Sequence, residues 1–306
     1  MGTQLYGAVE AGGTKFICEV VDQNHTVLAN TRIATTTTPG ETLAAVQQFF
    51  AAYESGTDTY AAIGIAAFGP LDLQQNSSTF GHILGTPKPH WSGTDLVSGL
   101  KQRFNCPVQV DTDVNAAALA EAELGAGKNC DVVVYVTVGT GIGGGVCIRG
   151  QTLHGALHPE MGHIRVERHS ADSTFPGTCP FHGDCLEGLA SGTAITARYG
   201  RSLNALLSSE VACSVTGYYL GQLASNIVLL LSPQRLIFGG GVMQHQALYE
   251  EIRTRVSKLL DGYAGLGKTV MPLDKLIVAP ALGERSGISG AFLLAQGAAT
   301  ALSCQR

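Results

Sequence analysis

Short apolar blocks broken by glycine-rich turns fill the first third of the chain. Leu5–Glu10, Phe16–Asp22 and Thr26–Ile33 read as three strands, joined by the links Glu10-Ala-Gly-Gly-Thr-Lys15 and Asp22-Gln-Asn-His25. Glu41–Tyr53 sets Leu43, Val46, Phe50 and Tyr53 at helical spacing, and Ala61–Ala67 is an apolar strand running into Phe68-Gly69-Pro70. Leu71–Trp91 has no clear period and reads as loop or short hairpin. Asp95–Phe104 is predicted helical and Val108–Val110 a strand; Asp113–Gly125 is a helix with an Asp or Thr cap before it and Gly at its end. Val132–Val138 is a wholly apolar strand, Thr137–Gly145 a glycine-rich turn, and Val146–Arg149 resumes a strand. Helices are predicted over Glu187–Tyr199, Glu210–Leu231, Ala247–Leu260 and Ser289–Ala301, and strands over Leu236–Phe238 and Lys275–Ala279.

This pattern contains an echo. Val9–Val21 and Val136–Ile148 share one form, a strand, a Gly-Thr-rich tight turn and a second strand. Two such units in one chain argue for two similar α/β halves, and a cleft between halves of that kind is a natural ligand site. The composition fits a chain with a sizeable core: 306 residues, 45% hydrophobic and 14% charged, which excludes intrinsic disorder. Gly is 39 of 306, nearly twice the usual share of about 7%, with no Gly-X-Y period, so the excess is expected in tight turns and ligand loops. A net charge of −5 with no basic run offers no footprint for nucleic acid. The opening residues lack the pattern of a signal peptide. The most apolar helical candidate, Tyr218–Leu231, is interrupted by Gln222, Ser225 and Asn226 and is too short to span a bilayer. A cytoplasmic protein without membrane partners is expected, its eight Cys serving as free thiols or metal ligands rather than disulfides.

Three glycine motifs bear on chemistry. Gly262-Tyr-Ala-Gly-Leu-Gly267-Lys268-Thr269 has the letters of a Walker phosphate loop, but a helical pattern precedes it and Pro272 follows, so Lys268 is expected to be irrelevant to phosphate. Gly139-Thr-Gly141-Ile-Gly-Gly144 has the letters of a dinucleotide fingerprint, but strand-like residues follow it where a helix N-terminus is required. Paired glycines with Thr at a tight β-turn gather backbone N–H groups and a hydroxyl at one point, a nest for phosphate oxygens; a plain hairpin turn also favours Gly. Two matched hairpins, plus the strand–Gly239-Gly240-Gly241 turn, favour phosphate.

From His154 to Cys185 the composition changes to five His, two Cys, four Gly and three Pro. His163, Cys179, His182 and Cys185 form a candidate zinc site, since two thiolates and two imidazoles suit tetrahedral Zn²⁺; His158 and His169 are rival ligands. Four protein ligands close the site, which makes the metal structural. Asp113, at a helix start, has two readings from the residues alone, a general base or an N-cap, and Asp111 lies two residues away.

In chain order these motifs resemble those of the ROK family of sugar kinases and repressors, within the actin-like ATPase and hexokinase superfamily. Glu10–Lys15 resembles the first phosphate motif, in which Asp normally stands where Glu10 does. Gly139-Thr-Gly-Ile-Gly143 resembles the second, and Asp113-Val-Asn-Ala-Ala the catalytic-loop motif. Glu160-Met-Gly-His163 resembles the sugar and metal motif, Cys185–Gly192 the stretch after the family's cysteine cluster, and Gly239–Val242 the adenosine motif. The usual cluster has three Cys, so His182 replaces one of them. Phe68–Asp72, Thr86-Pro-Lys88 with Trp91, His158–His163 and Cys179–Cys185 are similar to the bacterial fructokinase branch. Glucose-specific members carry Asn before the catalytic Asp; here it is Thr112.

The resemblance implies an actin-like ATPase (hexokinase/ribonuclease H-like) fold of two α/β domains with an interdomain cleft. The smaller would span residues 1–112, completed by a C-terminal helix over 291–306, and the larger 113–290 with a zinc-binding loop. It implies transfer of phosphate from Mg²⁺·ATP to the 6-hydroxyl of a hexose, foremost fructose, with mannose, glucose or another hexose as the alternative. Asp113 would be the base. Gly69, Thr112, Asp113, Glu160, His163 and Glu187 would bind sugar, and His163 could hold zinc through one nitrogen and the sugar through the other. Gly12, Gly13, Thr14, Lys15, Gly139, Thr140, Gly141, Gly239 and Gly240 would bind ATP. A homodimer is expected by family analogy. The alternative from a different class is a sugar-sensing regulator; the family's repressors carry a helix-turn-helix before the first phosphate motif, which here begins by residue 10.

Overall fold

The computed structural model describes residues 4–54, 59–206, 209–267 and 270–303; Lys268, Thr269 and Cys304 lie outside them. The chain forms two compact units. The first takes residues up to Ala120, then Thr152–His158, and the chain from Arg285 onward; the second takes Glu121–Gln151 and Pro159–Glu284.

The first unit opens with β1 (Gln4–Ala11), β2 (Lys15–Asp22) and β3 (Val27–Ala34), an antiparallel meander. Helix α1 (Pro39–Ala51) leads to β4 (Thr59–Ala67), and α2 (Ser98–Phe104) leads to β5 (Val108–Thr112), which ends at α3 (Asp113–Leu124). The sheet order is β3-β2-β1-β4-β5, with β4 parallel to β1 and β5 parallel to β4. The central strands are buried almost throughout, the pattern of strands covered on both faces, whereas β3 at the edge alternates between exposed and half-buried residues. Between β4 and α2 the chain is loop held by the isolated bridges Leu71–Ile83 and His82–Asp95, with Trp91 wholly buried as its anchor.

The second unit repeats the plan. Strands β6 (Val132–Val138) and β7 (Ile142–Ile148) form a hairpin, followed by β8 (Gln151–Thr152). A long irregular stretch precedes α4 (Leu186–Ala190), α5 (Gly192–Tyr199) and α6 (Glu210–Leu231). Then come β9 (Arg235–Gly239), α7 (Ala247–Leu260), the short pair β10 (Leu266–Gly267) and β11 (Met271–Pro272), α8 (Leu273–Leu276) and β12 (Ile277–Val278). The sheet order is β12-β9-β6-β7-β8, with β9 parallel to β6. The trio β2-β1-β4 is therefore matched in direction by β7-β6-β9, as the sequence echo suggested. Finally α9 (Ser286–Ser303) returns to the first unit and packs on β4. Gly64 is what allows this: a Cβ there would lie 1.9 Å from the Ala291 carbonyl oxygen.

Three elements differ from the sequence reading. The helix expected over Glu187–Tyr199 breaks at Ser191, whose hydroxyl accepts the Ala194 N–H and so starts α5 afresh. The glycines at 143–145 belong to strand β7 rather than to its turn. A Cβ on Gly144 would fall 2.2 Å from the Met161 sulfur, so the strand needs glycine there for close approach. The strand expected over Lys275–Ala279 keeps only Ile277–Val278, because Leu273–Leu276 coil into a helical turn. The run Gly262–Gly267 follows helix α7, and Gly139–Gly144 passes into β7, so neither described run has the strand–loop–helix setting of the nucleotide motif it spells.

Candidate active site

In the first unit the expected residues gather at one end of the sheet's strands. The hairpin Gly12-Gly13-Thr14 closes β1 onto β2, the Phe68-Gly69 turn leaves β4, and Thr112-Asp113 leaves β5. Residues 67 and 112 are register partners on adjacent parallel strands, so the last two turns lie side by side at carboxyl ends, where open α/β sheets bind ligands. The hairpin tip is exposed at Gly13–Lys15 and steadied from below: Thr35 donates its N–H to the Thr14 carbonyl at 3.0 Å and its hydroxyl to the Gly12 carbonyl at 2.7 Å. Gly13 has no left-handed backbone, and a Cβ on it would meet open space. The fold does not require glycine there.

Thr112 and Asp113 divide their work. The Thr112 hydroxyl accepts the Asn115 N–H at 3.1 Å and so caps α3. The cap reading of Asp113 thereby loses its basis. Its carboxylate accepts the adjacent Val114 N–H at 2.9 Å, and burial pushes its pKa up to about 6 from an ordinary 3.8. Asp111, the rival in sequence, is wholly engaged. It accepts from the Thr112 N–H at 2.7 Å, Asn115 Nδ2 at 2.9 Å and Thr152 Oγ1 at 2.7 Å, and it meets His154 Nε2 at 3.0 Å. That hydrogen bond raises the His154 pKa. Asp111 thus fixes the turn that carries Asp113, a role no spacing in the sequence signalled.

Glu10 stands at the end of β1 beside α9, whose Ile288 N–H it accepts. Burial first, then the neighbouring Asp113, raises its pKa to about 7, against the opposing pull of Lys15. Its Oε2 is buried without a hydrogen-bond partner among the described residues. An orphaned carboxylate oxygen is a donor of the kind a hard cation takes.

The second unit holds the remaining residues. The hairpin Gly139-Thr140-Gly141 is pinned by the start of α5: Gly192 donates its N–H to the Gly139 carbonyl at 2.7 Å, and Thr193 its hydroxyl to the Thr140 carbonyl at 2.8 Å. Gly139, like Gly13, faces open space and is not left-handed. Glu187 reaches the same hairpin, accepting the Ile142 N–H at 2.9 Å. Gly239 and Gly240 close β9 next to it. Gly240 takes φ +91, and a Cβ there would sit 2.5 Å from the Val138 carbonyl oxygen. Glu160 is exposed and precedes the short turn Met161–His163.

His163, Cys179, His182 and Cys185 converge, their ligand atoms all within 4.8 Å of one another. His163 Nδ1 lies 3.5 Å from Cys185 Sγ and 3.7 Å from Cys179 Sγ, and His182 Nδ1 lies 3.7 Å from Cys179 Sγ. Ligands at about 2.1 Å for nitrogen and 2.3 Å for sulfur, at a tetrahedral angle, stand ~3.6 Å apart, so the donor set fits zinc. Both histidines offer Nδ1, which leaves the other nitrogen of His163 for a further partner. The rival His158 instead accepts the Leu71 N–H at 3.0 Å, and His169 Nδ1 accepts the Ala171 N–H at 3.1 Å.

Two α/β units, each with a glycine hairpin between its first two strands, and the Asp113 carboxylate at the strand ends of one of them define a class: proteins of the actin-like ATPase fold. Comparison with known proteins narrows it. A model of the ROK family matches residues 6–298, and the chain belongs to that family. It is 45% identical to the fructokinase of Zymomonas mobilis, over 95% of this chain and 96% of the relative. It is 39% identical to a fructokinase of Pediococcus pentosaceus, over 96% and 98%. Among solved structures, the ROK glucokinase of Streptomyces griseus in complex with glucose and AMPPNP superimposes with a TM-score of 0.72, at 26% identity, over 96% of this chain and 99% of that one. No helix among the described residues is long and apolar enough to cross a membrane.

Proposed function

We propose that the protein is an ATP-dependent hexose kinase that phosphorylates D-fructose on its 6-hydroxyl. The observation that carries this reading is the Asp113 carboxylate, relieved of capping by Thr112 and set at the strand ends near Glu10, two strands from the hairpin that follows β1. The likeness to two fructokinases over nearly the whole chain supports fructose as the hexose.

In this reading Asp113 takes the proton of the sugar 6-hydroxyl as that oxygen bonds to the γ-phosphorus and the bond from phosphorus to the β,γ-bridging oxygen breaks, releasing ADP. The transition state is loose, so the proton moves late and a carboxylate with a pKa of about 6 suffices at neutral pH. Gly12, Gly13, Thr14 and Lys15 hold phosphate from the first unit; Gly139, Thr140, Gly141, Gly239 and Gly240 hold ATP from the second. Gly69, Thr112, Glu160, His163 and Glu187 orient the sugar. Mg²⁺ neutralises phosphate charge when bound, and Glu10, through its unpartnered oxygen, is the residue that would engage it or its waters. Zinc on His163, Cys179, His182 and Cys185 ties down the irregular stretch before α4. A cytoplasmic homodimer completes the reading, supported by family resemblance alone.

The test is coupled ADP release with fructose, mannose, glucose, N-acetylmannosamine and no sugar. Fructose is expected to exceed glucose at least ~10-fold in kcat/KM, a difference of only ~1.4 kcal/mol in transition-state stabilisation. Equal or better turnover of glucose rejects fructose as the substrate.

A further inference from the structure

The loop between β4 and α2 brings a second lysine to the first phosphate hairpin. Lys88 donates from Nζ to the Gly13 carbonyl, in a hairpin whose own cation is Lys15. The loop holding Lys88 is fixed on three sides. Trp91, three residues on, is wholly buried, and its Nε1 donates to the Thr36 carbonyl at 2.8 Å. Its ring packs on Phe16, directly after Lys15, at 5.5 Å between centroids, and on Phe68, directly before Gly69, at 5.6 Å. Leu84 donates its N–H to the Pro70 carbonyl at 2.7 Å. One aromatic anchor therefore ties the Lys88 loop to the phosphate hairpin on one side and to the Gly69 turn on the other.

The electrostatics are incomplete as they stand. Lys88 forms no ion pair among the described residues. An ammonium carries three N–H donors, of which the Gly13 carbonyl takes one. A half-buried cation held against a neutral carbonyl, at a hairpin tip whose glycine the backbone does not require, is arranged for an anion that arrives there.

We propose that Lys88 is a catalytic residue that donates to the oxygens of the phosphoryl group during its transfer. The proposal rests on the kinase reading above. Transfer spreads charge over three equatorial oxygens, and a positioned donor stabilises that charge more than it stabilises bound substrate. The lysine then acts on kcat. Its neighbour Lys15 belongs to the expected ATP motif, whereas Lys88 comes from the loop shared with the sugar turn and meets the phosphate from that side.

The test compares the unmodified protein with Lys88→Met and Lys88→Arg in the coupled assay with fructose, with thermal midpoints measured alongside. Lys88→Met is expected to lose at least ~10²-fold in kcat, the scale of one oxyanion donor. Its fructose KM should stay within about threefold and its midpoint within a degree or two, as for a change outside the core. Lys88→Arg, which keeps the charge, should recover part of the loss. A kcat within twofold in Lys88→Met overturns the proposal, as does a loss confined to the fructose KM or equal losses in both variants. No fructose-dependent ADP release from the unmodified protein overturns the kinase reading itself, which separates the two failures.

Discussion

Replacing Asp113 with Asn keeps the shape of the side chain and removes both its charge and its proton acceptor. Two effects of opposite sign follow. In the folded protein burial raises the carboxyl to about 6, the Val114 N–H lowering it only in part, whereas an unfolded chain holds it near 3.8. Between those values the folded protein binds more protons than the unfolded chain, so this group makes stability fall as pH rises, and above about pH 6 the cost is complete. The gap between 3.8 and about 6 is worth ~3 kcal/mol at ~1.4 kcal/mol per pH unit. Asn never ionises and still offers an oxygen to the Val114 N–H. Asp113→Asn is therefore expected to be more stable than the unmodified protein at pH 8, by up to ~3 kcal/mol, with the difference shrinking toward pH 5. Activity moves the other way: kcat should fall at least ~10²-fold, or ~2.7 kcal/mol, while fructose affinity changes far less. The unmodified enzyme should show an acid limb in kcat near pH 6 as the base becomes protonated. Denaturant unfolding at pH 5, 6.5 and 8, with coupled assays over the same range, reads both effects. A variant no more stable at pH 8 would contradict the burial argument, and near-normal kcat would remove Asp113 as the base.

Purified protein should contain about one zinc per chain, as a closed four-ligand site does, and Cys179→Ser and Cys185→Ser should each lose it. Elemental analysis showing full zinc in both variants would mean that other ligands hold it. Gly64→Ala should cost at least ~1–3 kcal/mol, because its methyl would lie 1.9 Å from the Ala291 carbonyl oxygen and 2.7 Å from the Ala295 nitrogen, forcing β4 and α9 apart. A melting midpoint equal to that of the unmodified protein would contradict that packing.

Much of this molecule was legible in its residues, and for local reasons. Apolar blocks of strand length, glycine-rich turns and a helical stripe over Glu41–Tyr53 are properties of neighbouring residues, so the two strand–turn–strand units could be read directly. The Cys/His cluster was legible too: three of its four residues fall within seven positions, Cys179 to Cys185, and Cys and His in such spacing have few other uses. What the sequence left open at Asp113 was a choice between two roles that the same residue fills at the same place. The folded turn removes one of the two, by giving the cap to the Thr112 hydroxyl. The same holds for Asp111 with His154, forty-three residues apart, and for Lys88 with Gly13, seventy-five apart. Gly144 of β7 read as turn because its reason for being glycine, the sulfur of Met161, lies outside any local window. Periodicity reports which face of an element is buried. Which distant side chain meets that face depends on packing, and the donors and acceptors that position this site are set there.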